Sequence, residues 1–290
     1  MTGRVLVAGG TGRLGTLVVT ALAARGVEVR VLTRDRQRAQ HLAGEHVEAV
    51  LGDVRDPVST AAAVVGTDLV VSAVHGFAGP GGVSPESVDR DGNIHLIEAA
   101  RNTGADVVLM SGVGAAPDSP MELFQMKHAA ETALAASAVP ATVVRATAFL
   151  ELWIDLLRRT AGHSNRPLVF GRGQNPINFV SVLDVAALVE RIVTDQATRG
   201  RTLEIGGPDN LTLNELARMV AANRGDATTP RHVPRAALHV LGAVGRLRPE
   251  LGRQARAALA MDREDLTFDG GSVRTEFADL PCTSAVDLLR

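Results

Sequence analysis

The sequence predicts an α/β fold, a doubly wound parallel sheet with a smaller, mainly helical C-terminal lobe. Three observations predict it. Short runs rich in β-branched residues alternate with stretches of helical apolar spacing from the first residues onward. The run from Asp68 to Val74 (D-L-V-V-S-A-V) is apolar almost throughout, as in a strand covered by helices on both faces. A glycine cluster separates the opening strand from the first helix. Residues 1–150 are assigned to the sheet domain, to which the chain returns at about 177–205, and residues 151–290 to the lobe.

The opening passage is Val5-Leu-Val-Ala-Gly9-Gly10-Thr11-Gly12-Arg13-Leu14-Gly15, followed by Val18 and Leu22 at helical spacing. Strand, tight turn and helix in this order make a phosphate cradle of the Rossmann type, an NAD(P)-binding loop. Glycine serves the turn angles, the close approach of backbone to a pyrophosphate, and the packing of helix on strand. The free N–H groups of the first helical turn then face the anion. Gly9, Gly10, Thr11, Gly12, Arg13, Leu14 and Gly15 are therefore candidate cofactor contacts.

Glu28–Thr33 reads as the second strand, and Arg34 stands nineteen residues after Gly15, where such a fold meets the adenosine ribose. A carboxylate there binds the ribose hydroxyl of NAD; a guanidinium grips the extra phosphate of NADP. Arg34, with Arg13 across from it, favours NADP over NAD, although Asp35 next door is able to take the hydroxyl. A third strand, 46–51, leads to Asp53 and Val54. The strand at Asp68–Val74 ends at Ala73, Val74 and His75, at the carboxyl edge where ligands sit. His75 is a candidate substrate contact or proton donor, or a plain loop residue. The Gly/Pro-punctuated loop 78–85 suits a flap. The fifth strand, 106–111, ends at Ser111. Ser119-Pro120 is expected to cap the helix that carries Lys127, with Glu131 four residues on as its surface partner in the simplest case. Residues 140–146 form the sixth strand, and Phe149 precedes an amphipathic helix at 151–159 bearing the only tryptophan, Trp153. Farther on, 167–171, 177–180 and 202–206 read as strands, and 181–193, 234–247 and 250–260 as helices.

The spacing Gly9-x-x-Gly12-x-x-Gly15 resembles that of the short-chain dehydrogenase/reductase superfamily. Gly-Gly-Thr-Gly-x-x-Gly is similar to its atypical NmrA-like and isoflavone-reductase-like branch, and residues 89–100 resemble the D-x-x-G-x-x-x-L-I-E-A-A helix of extended and atypical members. The resemblance implies that Asp53 and Val54 meet the adenine, with a turn or cap as the alternative for Asp53. It places Ser111 at the catalytic serine, where the alternative is a turn-forming hydroxyl. It puts Phe149 nearest the nicotinamide, unless its ring packs in the core. It gives Asp184 a structural part in orienting the C-terminal lobe. Most members carry Tyr-x-x-x-Lys; here Leu123 stands four residues before Lys127, and the chain contains no tyrosine. An apolar side chain cannot relay a proton, so the resemblance leaves Lys127 to hold the nicotinamide ribose and, if desolvated, to act as acid or base itself. Asp89 and Asn93 read as polar helix residues, Asn93 with an organising part to play.

Composition narrows the rest. At 46% hydrophobic and 21% charged residues with net charge −2, the chain is neither disordered nor built for nucleic acid. Its N-terminus lacks a secretory pattern and no apolar run spans a membrane, which predicts a cytoplasmic protein. A single cysteine, Cys282, excludes an internal disulfide and a Cys-based metal cluster. The expectation is an NADPH-dependent reductase of a small carbonyl, quinone or enone, with a small-molecule substrate as its partner and a homodimer through 86–102 and 120–137 as relatives have it. The alternative is an NADP-sensing regulatory protein of NmrA type, which loss of the tyrosine favours.

Overall fold

The computed structural model describes residues 3–77, 79, 82–225, 229–246 and 248–290. In chain order the elements are β1 (Val5–Ala8), α1 (Arg13–Ala24), β2 (Val29–Thr33), α2 (Arg36–Ala39), β3 (Val47–Leu51), α3 (Pro57–Val64), β4 (Leu69–Ser72), α4 (Asp91–Thr103), β5 (Asp106–Gly112), α5 (Glu122–Ala136), β6 (Ala141–Ala146), β7 (Ala148–Phe149), α6 (Leu150–Ala161), β8 (Leu168–Phe170), β9 (Pro176–Val180), α7 (Val182–Thr194), β10 (Thr202–Ile205), β11 (Asn210–Thr212), α8 (Leu213–Ala222), β12 (Arg231–Val233), α9 (Arg235–Ala243) and α10 (Pro249–Met261), then α11 (Gly271–Glu276) and α12 (Ala285–Leu289).

Seven strands form one parallel sheet in the order β3-β2-β1-β4-β5-β6-β10, so the expected doubly wound α/β architecture is present. The order reverses between β1 and β4, which register Val5 against Leu69 and Ala8 against Ser72. At such a reversal the loops leaving two neighbouring strands diverge and open a crevice. The sheet's apolar residues Leu6, Val70 and Leu109 join Leu96 and Ile97 of α4 and Leu134 of α5 in one core. Contacts divide the chain into two compact units, Met1–Ser119 with Leu123–Arg145 and Val185–Glu204, and Pro120–Glu122 with Ala146–Asp184 and Ile205–Arg290.

The second unit contains a three-stranded sheet, β11-β9-β7, a two-stranded one, β12-β8, and a core of Leu150, Ile154 and Leu157 against Phe179, Leu216 and Val220. Buried polar side chains tie its distant segments together. Asn178 accepts from Thr147 Oγ1 at 2.9 Å and Gly207 N at 2.8 Å. Asp184 accepts from Arg274 Nη2 at 2.8 Å and from Thr283 N and Oγ1 at 3.0 and 2.7 Å. Asp262 takes the backbone N–H groups of Arg172 and Gly173 and pairs with Arg172 and Arg235.

Several boundaries depart from expectation. β4 ends at Ser72, two residues short of Val74, although Ala73 N still donates to Ala8 O at 2.9 Å. α5 starts at Glu122, so Ser119-Pro120 precedes the helix rather than opening it; Ser119 O instead accepts from Gln125 Nε2 at 2.7 Å. α6 takes in Leu150 and runs to Ala161, because Ile154, Leu157 and Ala161 continue its buried stripe. The strands β11 and β12 are additions to the expected set. Of the loop expected as a flap, Ala78, Pro80 and Gly81 lie outside the described residues, as does Leu247 at the end of the helix expected over 234–247.

Candidate functional site

The cradle has the shape that the glycines demand. Gly9 leaves β1 with φ +81°, and a Cβ there would lie 2.6 Å from Ala73 O. A Cβ on Gly15 would lie 2.2 Å from Gly9 O, so α1 rests directly on the turn. A Cβ on Gly12 would meet only Gly9 O, at 3.1 Å; its other side is open. Gly12 N donates back to Gly9 O at 2.9 Å, closing the turn before α1 begins at Arg13. No side chain caps that helix and its first turn holds no acidic residue, leaving the field of its N-terminus unopposed within the helix. Leu14 is buried under the turn, Gly10 is buried and Thr11 is half-buried, while Arg13 is exposed.

At the end of β2, Arg34 and Asp35 are both exposed, and they are employed differently. Asp35 Oδ1 accepts from Gln37 N at 2.9 Å and so caps the short α2. Arg34 follows the strand directly with no ion pair among the described residues. Beyond β3, the Asp53 carboxylate is clasped by Arg55, with Nε 3.1 and 3.0 Å from its two oxygens and Nη2 2.7 Å from Oδ2. Partial burial pushes this carboxyl up, but the Arg55 hydrogen bonds and charge, with Arg34 behind, hold it below its ordinary range. Val54 is buried beneath α4, and its carbonyl is 2.8 Å from His95 Nδ1.

Across the crevice the chain leaves β4 through Ala73, Val74 and His75, and this loop is gripped by Asp89. A capping box of Ser84 and Ser87 opens a π-helical turn, Pro85–Arg90, that runs on into α4. Such turns are rare and shift the helical phase. Here the turn carries Asp89 fully inside, where Oδ2 accepts from Gly76 N at 2.8 Å. Its Oδ1 lies 3.2 Å from Lys127 Nζ and 3.8 Å from His75 Nδ1, and accepts a well-aligned hydrogen bond from neither. Lys127 is buried and donates to Met110 O at 3.1 Å, immediately before Ser111. Burial pushes the Asp89 carboxyl up; the Lys127 ammonium foremost, then the His75 ring and Gly76 N–H, outweigh burial and hold the carboxyl below its ordinary range.

Lys127 is thus not the surface partner of Glu131, which pairs with Arg145 at 2.6 Å. The Ser111 hydroxyl is buried without a hydrogen-bond partner. His75 is half exposed and stacks on Phe77, ring centroids 6.2 Å apart. Asn93 Nδ2 donates to Asp89 O at 2.7 Å and its Oδ1 accepts from Ser72 Oγ at 2.5 Å, bracing the turn against β4. Phe149 belongs to the second unit, where it pairs with Val180. The first unit therefore brings together Lys127, Ser111 and His75, and adds Asp89, which sequence reasoning missed. Composition held a signal: of the 30 Lys and Arg residues, Lys127 is the only lysine.

A model of the NmrA-like family matches residues 1–258. The NAD(P)H azoreductase of Xenophilus azovorans is 28% identical over 224 residues, 76% of this chain and 74% of that protein. The chloroplastic divinyl chlorophyllide a 8-vinyl-reductase of Zea mays is 31% identical over 277 residues, covering 85% of this chain and 67% of its own. Among solved structures, an NADPH-dependent quinone oxidoreductase from Escherichia coli, complexed with NADPH, shares the fold with a TM-score of 0.80 at 21% identity over 98% of each chain.

Proposed function

The chain belongs to the NmrA-like family, and on that premise we propose that it is an oxidoreductase that reduces a small carbonyl, quinone or enone with NADPH. The observation that carries the proposal is the buried Lys127, paired with Asp89 and bonded to the carbonyl of Met110, the residue before Ser111 with its unpartnered hydroxyl, at the carboxyl edge of the sheet. A buried hydroxyl left without a partner costs about 1–3 kcal/mol, which a substrate carbonyl accepting from it would offset. The names of the azoreductase and quinone oxidoreductase relatives, and the NADPH held by the latter, support the reaction class.

The cradle at Gly9–Gly15 fits a pyrophosphate, since Gly12 is open on its outer side and the α1 N-terminus carries no competing carboxylate. Arg34 takes the NADP phosphate, while Asp35 gives one carboxylate oxygen, Oδ1, to the cap of α2. Ala73 and Val74 line the cofactor's far side, and Asp53 reaches adenine only by sharing its carboxylate with Arg55. When bound, the dinucleotide supplies the hydride. Ser111 orients the substrate oxygen by donating to it, and Lys127 Nζ delivers the proton there in place of the missing tyrosine.

Oxidation of NADPH at 340 nm with a panel of quinones, enones and azo dyes tests this. Turnover that Lys127→Met abolishes supports it; silence across the panel overturns it. Leu123 in the tyrosine position favours a second reading, an NADP sensor without turnover, which predicts calorimetric binding of NADP and no oxidation with any acceptor.

A further inference from the structure

We infer that Asp89 and His75 form the route by which protons from solvent reach Lys127, with His75 the entry and Asp89 the connector. The inference deepens the reductase reading and rests on it for its biological purpose, but not for its test. Three observations carry it. Lys127 Nζ is buried, so once it has given up a proton it has little access to water of its own. Its ion-pair partner, Asp89 Oδ1, is itself fully buried and has a second nitrogen facing it, His75 Nδ1 at 3.8 Å. That ring is half exposed, so a small turn about its side-chain bonds brings it to hydrogen-bond distance while its other nitrogen stays in water.

The steps balance. Reduction of a carbonyl places hydride on carbon and a proton on oxygen; the proton leaves Lys127 Nζ as its N–H bond breaks and the substrate O–H bond forms. Imidazolium His75 then loses its Nδ1 proton to Asp89 Oδ1, and Oδ1 passes it to the Lys127 amine. His75 recharges from water, so one solvent proton enters per hydride transferred. Asp89 and His75 act through Lys127 and touch neither substrate nor cofactor. The choice of residue agrees with such a relay. Of the 30 basic side chains 29 are arginine, which holds its proton permanently, and the lysine stands where a proton must come and go.

Among the described residues, no other group on the surrounding elements is placed to do the same. Glu86, Arg90 and Asp91 on the turn pair with one another, Arg90 lying 3.0 Å from Glu86 and 2.6 Å from Asp91. On α4 the His95 ring is held on Val54 O, and on β5 Asp106 is paired with Arg199. On α5 the neighbouring His128 has its Nδ1 buried without a partner and in no contact with Asp89 among the described residues, which makes it the natural control.

The test exploits the single lysine. In the full chain, lysine labelled with 15N gives one side-chain ammonium signal, and the exchange of its ζ protons with water reads the relay directly without any substrate. His75→Gln should slow that exchange on the order of a hundredfold, the lower end of what a positioned acid–base group supplies. Added imidazole should restore it, and His128→Gln should leave it unchanged. Asp89→Asn should slow it beyond rescue by imidazole; should that variant fail to fold, the exposed His75 position still decides the matter. Exchange in His75→Gln equal to the parent chain, or slowed equally by His128→Gln, overturns the relay. An intact exchange difference in a chain that oxidises no NADPH overturns the reductase reading alone.

Discussion

Asp89 and Asp184 are both fully buried carboxylates, one in each unit, and they use their oxygens differently. Asp184 is saturated: Oδ2 takes Arg274 and the Thr283 N–H, and Oδ1 takes the Thr283 hydroxyl. Asp89 has one oxygen satisfied by Gly76 and the other facing two nitrogens without an aligned bond. A saturated carboxylate has nothing left to offer and works as a rivet. An unsaturated one, kept charged by a lysine that is able to discharge, retains the capacity to pass a proton.

The sharpest way to break this contrast is to remove each carboxylate. Asp184→Ala leaves the Arg274 guanidinium partly buried, permanently charged and without its carboxylate, and should cost about 3 kcal/mol, the lower end for breaking a buried pair, by urea unfolding at neutral pH. Asp89→Asn should cost less, because Lys127 can relieve its isolation by losing its proton. Equal losses would show that the two carboxylates act alike. Activity should rank the other way, with Asp89→Asn inactive and any folded Asp184 variant retaining turnover.

Next in size is a change of sign with pH. In the parent chain the Asp89 carboxyl lies below its ordinary range, so its stabilisation is present above about pH 4 and is lost as pH falls through the lowered value. In Lys127→Met burial acts without its main opponent and raises that carboxyl. The contribution then inverts: it is present in acid, below about pH 4, and is lost as pH rises through the raised value. Urea midpoints of both proteins between about pH 3 and 8 give the two slopes; parallel curves would mean that Lys127 is not what keeps Asp89 ionised.

The smallest effect concerns Arg34 and Asp35, which repeat the contrast of open and engaged side chains at neighbouring positions. Arg34→Ser should reduce the preference for NADP over NAD roughly ten- to a hundredfold, the equivalent of a charge-assisted hydrogen bond of about 1.5–3 kcal/mol, as read by calorimetry. Affinity for NAD should change little.

These two regions are also unequally legible in the sequence. The seven-stranded sheet can be read because its strands run four to seven residues and are largely apolar, and several, such as β1 before Gly9 and β4 after Asp68, are set off by glycine or aspartate. β7, with two residues, and β11 and β12, with three each, are too short to have a period. The cradle is visible because its parts are contiguous. Asp184 is legible as a structural residue, but its partners Arg274 and Thr283 lie 90 and 99 residues away and leave no local trace. Asp89 is obscured for a different reason: the π-helical turn breaks the 3.6-residue phase, so spacing gives no hint that the side chain faces inward.

That same irregular turn makes the site easy to disable without harming the sheet. The wide turn takes up one residue more than α-helical winding would use, so removing a residue between Ser84 and Asp91 would let the segment tighten to α while Leu96 and Ile97 of α4 kept their places on the core. Asp89, inside the turn, would lose its alignment on Gly76 N and Lys127 while the strands beneath stayed as they are. A one-codon deletion there would therefore separate the proposed proton transfer at Lys127 from binding at the glycine cradle.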